Sequence, residues 1–201
     1  MMAGRWPATG ILLLGSAMLW PTSADAHLVS TGFGSFYDGV VHLALTPHDV
    51  LMVLGLALFA GLRGATTARA LVCGLPIAWL CGGLLGMALP SGPDHPVASV
   101  ISFTVVGALV AADLKLPQMA VLGLGCMAGL LHGYANGTSM AESYHGGLAL
   151  AGTVTEVFIA MVLVSALVVS RRAEWERIAV RVGGSWIAAI GMLMVGWLAR
   201  G

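Results

Sequence analysis

The residues able to do chemistry gather in three stretches of the chain. The first reads His42-Leu-Ala-Leu-Thr-Pro47-His48-Asp49, two imidazoles and a carboxylate in close succession. The second reads Gly129-Leu-Leu-His132-Gly133-Tyr134-Ala135-Asn136-Gly137; His132 and Asn136 stand four apart and so share one face of a helix. The third is Glu156, a single acid inside a long apolar run. Imidazole nitrogen combined with carboxylate or amide oxygen suits a borderline divalent cation such as Ni²⁺, Co²⁺, Cu²⁺ or Zn²⁺. Four further groups, His27, His95, Glu142 and His145, could gather such an ion before it reaches the first set.

Each stretch also has a purely structural reading. Thr46-Pro47-His48-Asp49 fits a helix start, with Thr46 as the cap, Pro47 first in the helix and Asp49 accepting only backbone N–H bonds. His132 could be a core histidine satisfied by one hydrogen bond. Glu156 could be a protonated acid bonded to Ser102 or Thr104 of a neighbouring helix. Beside His132, Gly125, Gly129, Gly133 and Gly137 recur every fourth residue, a stripe that lets another helix approach closely.

The elements that must position these groups are apolar. Of 201 residues 58% are hydrophobic and 9% charged, against roughly 25% charged in an ordinary soluble domain; mean hydropathy is +0.93. Eighteen charges cannot solvate such a surface, so lipid must cover most of it. This excludes a soluble enzyme, a disordered regulator and a nucleic-acid binder. Cys73, Cys81 and Cys126 form no C-x-x-C pair, and the eleven methionines form no M-x-x-M pair. No Walker loop, H-E-x-x-H or C-x-x-C-H is present. The expectation is a non-enzyme with no tightly bound cofactor.

Residues 1–26 read as a signal peptide. Arg5 precedes an apolar stretch over 11–20, Pro21 ends it, and Ala24-Asp25-Ala26 offers a small-x-small cleavage site. The remainder, 27–201, reads as one transmembrane domain, an all-α polytopic helix bundle. Six spans are expected near 39–62, 68–89, 97–112, 117–135, 146–170 and 182–199. With His27 outside, the first, third and fifth loops hold Arg63, Arg69, Lys115, Arg171, Arg172, Arg177 and Arg181, leaving only Arg200 at the outer side. That is the positive-inside pattern of a bacterial inner (cell) membrane protein with both mature termini periplasmic. Glu156 then lies about 15 Å deep, near the midplane, where a carboxylate by default marks an ion or proton pathway.

At these residues the chain resembles the HupE/UreJ family of small membrane proteins. The family pattern is a cleaved signal, a mature end near histidine and about six spans. Its motif H-x5-D-H is met here by His42-x5-His48-Asp49, with the last pair inverted. Its motif F-H-G-x-[AV]-H-G-x-E is met by Leu131-His132-Gly133-Tyr134-Ala135-Asn136-Gly137-Thr138-Ser139, with Asn136 in place of the second histidine and Ser139 in place of the acid. The resemblance implies permeation of nickel, or cobalt, for hydrogenase and urease, and so maturation proteins of those metalloenzymes as partners. The alternative expectation is a membrane scaffold that binds metal at the periplasmic face without moving it.

Overall fold

A computed structural model describes residues 30–90, 96–171 and 173–200. The expected signal peptide over 1–26, His27 and His95 lie outside the described residues. Those residues form helices and no strands: α1 Ser35–Leu45, α2 Pro47–Arg63, α3 Ala65–Ala88, α4 Pro96–Ala111, α5 Gln118–Met140, α6 Gly146–Ser170 and α7 Glu174–Leu198.

The expected first span is broken in two. Pro47 has no N–H to give to the Leu43 carbonyl, and its ring would strike that carbonyl in a continuing helix. The chain instead turns extended at Thr46, whose own N–H bonds Leu43. α1 and α2 meet there at 78°. α2 and α3 are joined through the single residue Gly64, whose φ of +102° lies where a side chain would be strained.

Three helices, α3, α6 and α7, are long and apolar enough to cross a membrane, and the bent pair α1–α2 makes a fourth if it forms one span. The sequence expectation of six spans therefore has three or four matches by length and composition. α4 is apolar but has 16 residues, and α5 has 23 residues that include His132, Asn136 and a run of glycines. Helix ends also differ from expectation. α5 runs on to Met140, past the expected end at 135, and α7 starts at Glu174, before the expected start at 182. Arg177 and Arg181 read as loop residues because they are polar. In the fold they sit on helical turns whose neighbours satisfy them: Arg177 bonds Asp113 and Arg181 the Ala111 carbonyl.

α2 is the centre of the bundle. Met52, Val53, Leu56, Phe59 and Ala60 are fully buried, and α2 touches α3, α4 and α6. Around it the most extensive pairs are α3 with α5 and α4 with α7. The α3–α5 contact is the glycine stripe. A Cβ at Gly133 would run into the Trp79 carbonyl, and one at Gly137 into the Gly83 carbonyl. Small residues here bring the two backbones together and fix the depth at which His132 faces α2.

Candidate metal centre

Asp49 lies in the first turn of α2, where the exposed N–H ends of the helix favour an anion. Its side chain makes no cap, and Thr46 does not cap either: the Thr46 hydroxyl donates to the His42 carbonyl at 2.7 Å. The capping-only reading is thereby corrected. Asp49 is fully buried and its carboxylate points across to α5. One oxygen meets His132 Nδ1 at 2.6 Å, and the other accepts from the Asn136 amide at 2.7 Å. The second hydrogen of that amide goes to the His132 carbonyl at 3.0 Å. Both donors of Asn136 are therefore spent inside the cluster, and its Oδ1 is buried with no hydrogen-bond partner.

His132 is fully buried and held on both nitrogens. Its Nε2 lies 2.8 Å from the Ser102 hydroxyl of α4, and that hydroxyl donates to the Ser99 carbonyl at 2.6 Å. A serine has one hydrogen to give. With it committed to Ser99, Ser102 accepts from Nε2–H, and Nδ1 is the nitrogen presented to Asp49. A histidine whose outer nitrogen is anchored this way offers the other as an oriented ligand. Ser102 thus serves His132, and Thr104 bonds its own Val100 carbonyl at 2.6 Å, which corrects the expectation that either hydroxyl meets Glu156.

His48 completes the group. Its Nε2 is 3.5 Å from Asp49, and its ring centroid is 6.0 Å from that of His132. One ligand atom each from His48, Asp49 and His132 lie within 4.8 Å of one another, the one such group of His, Cys, Asp or Glu among the described residues. Ligands on a shared ion at bonds of about 2.1 Å stand some 3–4 Å apart, so small side-chain shifts would converge all three. The Asp49–His132 contact holds a hydrogen that a cation would displace. Access is from His48, whose side chain is 35% exposed while the other two are sealed. Trp79 of α3 closes the far side, fully buried with its ring 5.7 Å from His132.

The remaining expected residues are placed as follows. His42 lies on α1, one turn before the break, close enough to feel the charges of Asp49 and His48 but outside the ligand group. Glu156 is half-buried on α6 and is not part of the group, with Oε2 buried and without a hydrogen-bond partner. Glu142 and His145 are exposed between α5 and α6, where His145 stacks edge-on with Tyr144. The sequence reading missed Trp79 and Ser99. Trp79 did carry a signal: it stands in the middle of an apolar run rather than at a span end, where membrane tryptophans gather.

A bundle of apolar helices around one buried imidazole–carboxylate group defines a membrane protein with an internal polar site. The model of the HupE / UreJ protein family matches residues 15–194, and the chain belongs to that family. It is a family of nickel or cobalt accessory and transport proteins, not a catalytic one. No curated protein and no solved structure matches the chain.

Proposed function

We propose that this chain is a permease for a divalent transition-metal ion, nickel first and cobalt next, that supplies the maturation of a metalloenzyme such as a hydrogenase or urease. The observation that supports it is the His48–Asp49–His132 group, set at the break of a bent helix pair with only His48 open to the surface. Broken helices suit ion sites because the interruption exposes polar groups at membrane depth. In this reading His27, His95, Glu142 and His145 gather the ion at the periplasmic face. His42 and His48 receive it, Asp49 and His132 bind it, and Asn136 orients the carboxylate and offers its amide oxygen. Glu156 is the next carboxylate inward. The chain crosses the inner membrane six times with both mature termini outside. A membrane potential of ~100 mV gives about 2.3 kcal/mol per charge moved across, so a divalent cation is driven inward without ATP.

One observation favours a second reading. Both Asp49 oxygens are engaged by protein donors, as they would be in a structural network of a scaffold that binds metal without moving it. Uptake of radioactive nickel by cells expressing the chain tests the choice, with His48→Ala and His132→Ala at matched membrane levels. Uptake that both substitutions abolish is the expected result. Uptake no higher than in cells with empty vector, for nickel and cobalt alike, overturns the permease reading in favour of the scaffold.

A further inference from the structure

The opposite end of the bundle carries a site that the metal chemistry does not use. α3 and α6 are tight near Gly83 and Leu150. Toward the start of α3 and the end of α6 they part, leaving a groove of about 580 Å³. Its walls are apolar or weakly polar, among them Ala68, Val72, Val162 and Ala166. It extends from Ala65 to Cys73 along one helix and from Ser170 to Val162 along the other, about 12 Å into the span at helical rise. Arg69 stands at its mouth, exposed and paired with no carboxylate among the described residues. Against that mouth lies a second, polar cavity of about 150 Å³, lined by Gly64, Arg171, Glu176 and Arg177. Val169 borders both.

The two cavities adjoin at Val169 and together make an amphipathic slot: an apolar cleft inside a candidate span beside guanidinium groups at the arginine-rich end. Glu176 takes up the charge of Arg171 at 3.1 Å and Asp113 that of Arg177 at 2.7 Å, so the net positive charge at this end comes from Arg69. A free anion would have no use for the cleft, and an apolar helix would have no use for Arg69. Guanidinium pairs with phosphate in a two-pronged fork, and basic pockets between spans on the cytoplasmic side hold anionic headgroups. We propose that this slot binds an anionic glycerophospholipid, its phosphate on Arg69 beside Arg171 and Arg177 and one acyl chain in the cleft between α3 and α6. The lipid then wedges the end of the helix pair that side chains leave open.

The test uses the purified full-length chain in detergent, titrated with palmitoyl-oleoyl phosphatidylglycerol or phosphatidylcholine, with bound lipid counted by native mass spectrometry. The first phosphatidylglycerol should bind at a concentration roughly fivefold or more below that for phosphatidylcholine, the effect of about one well-placed basic residue. Arg69→Gln should remove the preference and Arg69→Lys should keep most of it. Ala166→Trp, at an exposed position on the cleft wall, should block the site with all arginines intact. Glycerol phosphate, which has the headgroup and no chains, should leave no adduct. Equal binding of the two lipids, a preference that survives Arg69→Gln or Ala166→Trp, or an adduct with glycerol phosphate at the same concentration would each overturn the proposal.

Discussion

α2 carries a charged residue at each end, Asp49 in its first turn and Arg63 in its last, and the two ends have been put to different use. Both placements complement the helix dipole. Arg63 is almost buried, its side chain 7% exposed, and it pairs with Asp113 of the α4–α5 connection; Asp113 also accepts from Arg177 of α7 at 2.7 Å. That end ties three segments together with one carboxylate between two guanidiniums. Guanidinium groups donate only and keep no lone pair for a cation. At the other end Asp49 meets an imidazole and an amide, with a second imidazole beside them, and the Asn136 oxygen is left over. Burial of a charge forces pairing in both places. The partner's chemistry decides whether the result can ligate an ion or can only hold helices together.

Removing the acid from each end separates the two roles. Asp49→Ala should carry the largest effect: nickel uptake falls to background, and nickel binding to the purified protein, read by isothermal titration calorimetry, is lost. It should also lower the melting temperature, since His132 and Asn136 lose their acceptor at about 1–3 kcal/mol for each stranded group. Asp113→Ala should strand the nearly buried Arg63 and destabilise the fold by about 3 kcal/mol. The nickel affinity of the folded fraction should change by less than about twofold, because Asp49 and Arg63 stand fourteen positions apart on α2, roughly 21 Å.

The arginine end should also show in acid. Burial pushes the Asp113 carboxyl up, but the hydrogen bond and charge of Arg177, with the charge and hydrogen bond of Arg63, outweigh it and hold the group below its ordinary value. A pKa lowered by folding gives stability that is fully present above the unfolded value of about 3.9 and lost as pH falls through the folded one. The melting-temperature gap between the wild type and Asp113→Ala should therefore be flat from about pH 8 to 5 and close at lower pH. A gap that widens in acid would contradict this assignment.

The sequence disclosed the parts of this comparison better than their pairing. The run 146–170 coincides with α6, because polar His145 and Arg171 bound it, and Pro47 marked a helix start inside the first expected span. The 78° angle at that break was not legible, since it depends on how α1 packs against α6. His48, Asp49, His132 and Asn136 stood out as polar residues in apolar surroundings. That Asp49 and His132 meet across 83 positions follows from the glycine contact of α3 with α5, a tertiary fact. Ser102 was visible as a hydroxyl in an apolar run, but helix periodicity alone could not say whether it faces α5 or α6. Asp113 read as a loop residue, and its two arginines lie 50 and 64 positions away.

Ser102 gives the smallest and most selective test of the metal end. Its hydroxyl donates to the Ser99 carbonyl of its own helix and reaches the group through the Nε2 of His132. Ser102→Ala would leave that N–H without its acceptor and His132 free to turn, a loss of about 1 kcal/mol. Nickel binding should weaken by about fivefold, so the half-saturating concentration for uptake rises while the maximal rate at saturating nickel stays near the wild type. Thr104→Ala is the matching control, because Thr104 sits half a turn away and spends its hydroxyl on its own helix. If both substitutions shift uptake equally, the effect belongs to packing of α4 against its neighbours and not to the orientation of His132. If Ser102→Ala alone shifts it, the hydrogen bond from α4 sets the aim of the ligand, and the ion site extends one residue beyond the group that touches the ion.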